Sequence, residues 1–378
     1  MIKLTVEKNG YQADVKFPCT EKEMRESLVK IRAADMIPNK LYIKAVKEPL
    51  CMAGLAGKEI DLDEINYLAK LMDSFGTREE EKYYAAVGYE KMSNPKDMIN
   101  LAFNIGQAYT LIQDIGNMEN VGKTHYMALH GGVLPNARVN EDFAEIGRNL
   151  LFSGKGTMTD YGLLFRNEEI EIEEVYKGQV FPYYSFDGDE AAVVAIGNDK
   201  VKEYVFLPCE EIAIEKAYAR LGEDRDSYTC VFAGFSFENR EWQPKLEALL
   251  KQDGIFDMNA LLKHVNQYDF DFDQLSMVVE YAGVDSSLDI ASLAANLDYF
   301  EIIDVYSDEA LGRHLVENDS EYYASELVKE HIDYEALGKG FAENIDGEFT
   351  SQGFIYISND LTLDDILGND DGISHQSM

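Results

Sequence analysis

The chain repeats itself at long range, and this limits its possible folds more than any other feature. Pro18-Cys19-x-Glu21 returns 190 residues later as Pro208-Cys209-x-Glu211. Asn66, Leu68 and Lys70 return as Asn259, Leu261 and Lys263 at an offset of 193. Residues 88–105 lie over 280–297 without a gap, so that Tyr89, Asp97, Leu101, Ala102 and Asn104 meet Tyr281, Asp289, Leu293, Ala294 and Asn296. Tyr109, Ile112, Asp114, Glu119 and Gly122 meet Tyr299, Ile302, Asp304, Glu309 and Gly312. Asp142, Gly147 and Gly162 then meet Asp333, Gly338 and Gly353. A period this long implies a duplicated domain, since solenoid repeats recur every ~20–50 residues. The reading is an α+β chain of two tandem copies, over about 15–165 and 205–357. The expected domains are 1–165, a β-rich insert at 166–204, 205–358, and a frayed acidic tail at 359–378.

Local signals place the elements. Thr20-x-x-Glu23 is a capping box ahead of Met24, Leu28 and Ile31. Leu62, Ile65, Leu68, Ala69 and Met72 carry the helical period. Thr77-x-x-Glu80 predicts another capped start, and Asn94-Pro95 reads as N-cap followed by first helical residue. A short strand is expected at 109–115, helices from Asn117 and over 140–151, and a strand ending in Leu-Leu-Phe within 156–166. In the insert, EEIEIEEVYKGQVF and AAVVAIGND alternate as strands do, with PYYSFDGDE as the turn. The N-terminus alternates and carries charge, which predicts a strand and not a signal peptide.

Acids outnumber bases by 70 to 34, a net charge of −36. A chain so acidic repels phosphates and has no basic stripe, which argues against nucleic acid or an anionic membrane as a direct partner. Aromatics at 11% argue against disorder as the source of the charge. No segment approaches the ~20 apolar residues of a membrane span. Cys19, Cys51, Cys209 and Cys230 form no Cys-x-x-Cys, which fits reduced thiols and a cytoplasmic location. The charge is uneven: residues 1–165 carry −3, 166–250 carry −10 and 251–378 carry −23.

No catalytic motif stands out. GNMENVGKT (116–124) has five residues where a phosphate loop needs four, and reads as a helix with a glycine on a crowded face. His125 and His130 lack the i, i+4 spacing and neighbouring acid of a helical zinc pair. No Gly-x-Ser-x-Gly is present. Asp269-Phe-Asp271-Phe-Asp273 lacks the calcium-loop spacing, and its alternation reads as an acidic edge over a core. Carboxylate pairs abound, so an acid-rich hydrolase stays open as an alternative. No cofactor and no metal are expected.

The collective charge is more informative. Residues 205–357 hold 32 acids and 10 bases. Duplex DNA carries one charge per ~1.7 Å of its axis, so a net −22 matches roughly 37 Å of duplex. Acids one helical turn apart, as in Glu317/Glu321 or Glu326/Glu330, repeat every ~5.4–6 Å, the order of a phosphate row.

HIDYEALGKGFAENIDGEFTSQGFIYIS (331–358) resembles the C-terminal signature of the ArdA antirestriction protein family: Asp-Tyr-x-Ala-x-Gly-Arg/Lys, then a glycine-bearing strand. FDMNALLKHV is similar to that family's Leu-Asn-x-Leu helix, and residues 275–319 to its acidic middle. The opening pattern of that family looks like Phe206-Leu207-Pro208 and, again, Phe17-Pro18. The resemblance implies an elongated fold. Each copy would hold a small sheet with a helix, a helical bundle and a small α/β unit. It also implies mimicry of bent DNA, inhibition of type I restriction–modification complexes, carriage on mobile elements, and neither catalytic residues nor cofactor. The signature residues are then Asp333, Tyr334, Glu335 and Gly338. The acids that would stand for phosphates are Asp269, Asp271, Asp273, Asp298, Glu301, Asp304, Asp308, Glu309, Glu317, Asp319, Glu321, Glu326 and Glu330. A usual member is one copy long and dimeric, so this chain is expected as a monomer acting as a pseudo-dimer, or as a homodimer. The first copy departs from the pattern. It is almost uncharged, and its signature decays to Asp142-Phe143-Ala144-Glu145-Ile146-Gly147-Arg148. The alternative within the binding-protein class is an acidic adaptor for another basic, DNA-binding defence complex.

Overall fold

A computed structural model describes residues 1–131, 141–185, 190–222, 225–236, 239, 241–265, 270–359 and 361–368. The chain is α+β and divides into two compact units. One unit comprises Met1–Gly188, Gly197–Tyr204 and Ile212–Tyr228; the other comprises Asp189–Ile196, Val205–Glu211 and Thr229–Met378. Among the described residues, no helix is long and apolar enough to cross a membrane.

The chain opens with β1 (Ile2–Lys8), β2 (Tyr11–Phe17), α1 (Glu21–Val29), β3 (Lys40–Glu48), β4 (Glu59–Asp61), α2 (Leu62–Asp73), α3 (Thr77–Glu90) and α4 (Pro95–Ala108). It continues through β5 (Tyr109–Ile112), α5 (Met118–Leu129), α6 (Phe143–Phe152), β6 (Thr157–Thr159) and β7 (Gly162–Arg166). Asn9-Gly10, both at positive φ, form the two-residue turn that pairs Lys8 with Tyr11. The first sheet has order β2-β1-β3-β4 and the second has order β5-β7-β6. Thr20 and Glu23 close the expected capping box, and those bonds hold the Glu23 carboxyl below its usual range. Asn94 caps α4 with Pro95 in its first turn. Thr77 does not cap α3: the helix begins one residue earlier than the pattern suggests, and the Gly76 carbonyl accepts from Glu79 and Glu80.

Residues 168–181 form no strand, although their alternation predicts one. The backbone there is met by side chains of α4, not by a ladder. Asn100 donates to the Tyr176 carbonyl and accepts its N–H, at 2.8 and 2.7 Å. Asn104, one helical turn on, does the same to Glu173 at 3.0 Å for both bonds. An asparagine amide has the donor and acceptor of a peptide group, so it satisfies an extended chain as a neighbouring strand would. Tyr176 is buried, its hydroxyl on Glu64, and Phe181 stacks on Tyr67 with ring centroids 4.5 Å apart.

A similar but not identical order of elements follows, with α8 standing where the first half has β4: β8 (Ala192–Gly197), β9 (Lys202–Leu207), α7 (Glu211–Leu221), β10 (Thr229–Phe235), α8 (Trp242–Asp253), α9 (Ile255–Val265), α10 (Phe272–Ala282) and α11 (Ser287–Ala295). They are followed by β11 (Phe300–Ile303), α12 (Asp308–Asn318), the single turn α13 (Glu326–Lys329), α14 (Tyr334–Asn344), β12 (Glu348–Thr350), β13 (Gly353–Ile357) and α15 (Leu363–Leu367). Strand AAVVAIG of the expected insert is thus β8, the first strand of a hairpin leading into the second half. The sheet orders are β10-β8-β9 and β11-β13-β12. Part of the expected tail is also structured: Thr362 and Asp365 form a capping box on α15, and Ile366 is buried. Residues 360 and 369–378 lie outside the described residues.

Particular contacts match between the halves. Asn66 of α2 accepts from the Cys19 N–H and donates to its carbonyl, both at 2.9 Å. Asn259 of α9 does this to Cys209, at 2.8 and 3.0 Å. Helices α5 and α6 cross at Gly122 and Gly147, and α12 and α14 cross at Gly312 and Gly338. A Cβ on Gly338 would stand 1.9 Å from the Asp308 carbonyl oxygen, and one on Gly147 would stand 2.0 Å from that of Met118. No rotamer relieves a clash between a Cβ and a helix backbone, so the pair must separate. Gly338→Ala is therefore expected to cost about 3 kcal/mol, at the upper end for overpacking, read as a lowered urea midpoint. A midpoint within experimental error of the parent would contradict this account of the crossing.

α7 takes two cations into the first unit. Lys216 is 2% exposed and reaches Glu21 at 2.6 Å and Asp63 at 2.8 Å. Arg220 meets Glu203 at 2.8 Å and Asp63 at 3.4 Å, with its guanidinium 4.7 Å over the Phe181 ring. Burial pushes the Glu203 carboxyl up, against the pull of Arg220. Sequence reading missed this cluster, because Lys216 and Arg220 look like ordinary surface cations. The one signal is that they share a helix with buried Ile214, Ala217 and Leu221.

Candidate functional site

The small α/β unit at the end of each half isolates the effect of charge. Residues 108–167 and 298–357 have equal length, and among the described residues both run strand, helix, helix and hairpin, the second with the single turn α13 between its helices. The first stretch holds six acids and five bases, net −1; the second holds 15 acids and three bases, net −12. All three of those bases are engaged by acids of their own helices: Arg313 with Glu309 at 2.8 Å, Lys329 with Glu326 at 2.7 Å, and Lys339 with Glu343 at 3.9 Å. Such exposed pairs contribute little to stability. Their consequence is that no described lysine or arginine of this stretch stands clear of a local carboxylate.

The predicted acids fall on several elements. Asp298 and Glu301 are exposed just before β11 and on it, and Asp304 is exposed in the loop after it. A bond to Asp304 pushes the Tyr306 phenol up. Asp308 and Glu309 occupy the first turn of α12, where carboxylates favour the helix dipole; Asp308 is half-buried and Glu309 exposed. Glu317 is exposed in the last turn of α12. Asp319 is half-buried because it caps the next turn, accepting from the Glu321 N–H at 2.8 Å. Glu321, Glu326 and Glu330 are exposed on the segment leading to α14.

Asp271 and Asp273 do not alternate along a strand edge, as their spacing suggests. Asp271 caps α10, accepting from the Gln274 N–H at 2.8 Å, and Asp273 lies in the first turn, where it is exposed. Phe272 turns into the core. A helix start wins over the alternation because Asp271 satisfies an N–H that the helix cannot. Asp269 lies outside the described residues.

The four signature residues shape α14. Asp333 caps it, accepting from the Ala336 N–H at 3.0 Å. Tyr334 donates its hydroxyl to the Lys329 carbonyl at 3.0 Å and lies under the Arg313 guanidinium at 4.4 Å. Glu335 is exposed in the first turn, and Gly338 is the buried crossing point. Three of the four therefore have structural roles visible in the fold. His125 and His130 do not come together on a ligand: His125 meets the Thr110 hydroxyl, and His130 bonds to Tyr126. No family model matches the chain, and no curated protein or solved structure does either.

Proposed function

We propose that this chain is an ArdA-like antirestriction protein. On this reading it mimics DNA and occupies the DNA-binding groove of a type I restriction–modification complex. The observation that carries the reading is the charge contrast between the two α/β units: net −12 on a scaffold that is net −1 in its counterpart. Packing needs no such excess, since the counterpart folds without it. Long-range attraction to a basic groove does need it, and steers association. The two halves are, on the same reading, tandem copies of one module. The similar element order, the paired asparagine clasps on Cys19 and Cys209, and the paired glycine crossings support this. The second copy presents the charge, the first copy is a scaffold, and one chain does the work of a dimer.

The direct test is DNA cleavage by a purified type I enzyme with and without the protein. Cleavage is expected to stop at near-stoichiometric protein and to recover as salt rises, because charge-driven occupancy of a DNA groove is screened as DNA binding is. Cleavage that proceeds unaltered at low salt would remove the reading. An acidic adaptor for a different complex would also leave this assay unaffected.

A further inference from the structure

The segment between α12 and α14 carries an apolar tip amid its acids. Tyr323, Leu327 and Val328 are 75%, 87% and 51% exposed. Single exposed leucines are ordinary. Three large apolar side chains within six residues, around a helix of one turn, are not, because so short a helix has little stability of its own. Yet the segment is fastened in place. The Tyr334 hydroxyl, from the first turn of α14, holds the Lys329 carbonyl at 3.0 Å. The tip is thus presented on an anchored turn, with exposed Glu321, Glu326 and Glu330 around it in sequence.

An apolar centre with a charged rim is the anatomy of a protein interface. The rim decides what covers it. A second copy would bring the same carboxylates to within a Debye length of ~10 Å, where like charges repel. A surface with lysine and arginine around an apolar socket complements both parts. Resting on the function proposed above, we infer that Tyr323, Leu327 and Val328 are an anchor that docks in an apolar socket at the edge of the partner's basic groove. The acids offer what DNA offers; the tip offers what DNA lacks. It therefore slows dissociation once charge has brought the partners together.

Two variants separate these contributions. One replaces Tyr323, Leu327 and Val328 with serine, and the other replaces Glu321, Glu326 and Glu330 with glutamine. The probe is the purified methyltransferase core of a type I enzyme on a biosensor, at several salt concentrations. The serine variant is expected to dissociate at least tenfold faster, with unaltered association rate and salt dependence. The glutamine variant is expected to associate more slowly with a flatter salt dependence. Circular dichroism is expected to be the same for both as for the parent, since the replaced side chains are exposed. Dissociation of the serine variant at the parent rate would overturn the anchor and leave the functional reading intact. A parent that sediments as a dimer, and a serine variant that sediments as a monomer, would assign the tip to self-association instead. A parent that does not bind the core at any salt would remove the functional reading, and the anchor with it.

Discussion

Converting Asp298, Glu301, Asp304, Asp308 and Glu309 to their amides is expected to abolish most inhibition of a type I enzyme while the fold survives. Four of the five are exposed, and Asp308 is half-buried in the first turn of α12. Glutamine at 309 gives up an exposed pair with Arg313 that holds little. Each charge alone is worth so little that single changes are expected to pass unnoticed. Five lost together are expected to weaken binding on the order of a hundred-fold, with a flatter salt dependence. A second effect adds to the loss: Arg313, freed of Glu309, would present a cation to a basic partner. The measurement is the protein concentration that halves DNA cleavage, at low and at moderate salt, with the circular dichroism spectrum as the control. Inhibition at the parent concentration would exclude this face of the second α/β unit from the contact.

Capping chemistry made much of the fold readable before any coordinates. Asn94-Pro95 and Thr20 with Glu23 each need only neighbours to express their geometry, so their positions followed from spacing, whereas the N-terminal strand that the alternation predicts is split into β1 and β2 by the turn at Asn9-Gly10. The failures share a cause. Thr77 has the right spacing to Glu80, but Gly76 already supplies the carbonyl that starts α3. Residues 168–181 have the period of a strand, but Asn100 and Asn104, some 70 residues earlier, supply what a partner strand would. Asp271 sits in an alternating run, and only the helix that follows makes it a cap. In each case a group outside the local pattern, a distant side chain or a flanking residue, decided between two local readings. The acidic character of the candidate site was legible by counting alone. Its apolar tip was not, because Tyr323, Leu327 and Val328 in a sequence look like core. Only their exposure separates them from Leu311 and Leu315, which are buried.

Lys216→Ala is expected to be the most destabilising single change in the first unit. Its ammonium is the cation that Glu21 and Asp63 share, and Asp63 is itself only 9% exposed. Removing the ammonium leaves Glu21 without a cation and Asp63 with only the longer contact to Arg220, and breaking a buried pair in this way costs about 3–5 kcal/mol. That is a large share of the ~5–15 kcal/mol that holds a domain together. Adding Asp63→Asn to a Lys216→Met variant is expected to restore part of the loss, because the stranded charge goes with its partner. The pH dependence has a definite sign. Burial alone would lower the Lys216 pKa, but attraction to Asp63 and Glu21 wins and raises it above 10.5. A raised pKa gives stability that is fully present below the ordinary lysine value and is lost as pH rises through the folded one. The alanine penalty is therefore expected to be equal at about pH 6 and pH 9 and to shrink only in strong alkali. The same network bears on cutting the chain. Residues 200–378 alone would carry Lys216 and Arg220 without Glu21 and Asp63, and residues 1–166 alone would lack Tyr176, Phe181 and both cations. Neither piece is expected to keep its part of the first unit folded. Urea unfolding followed by circular dichroism checks the substitutions. A Lys216→Ala midpoint within about 1 kcal/mol of the parent would mean that water or a neighbouring cation compensates the carboxylates, and that the network does not hold α7 in place.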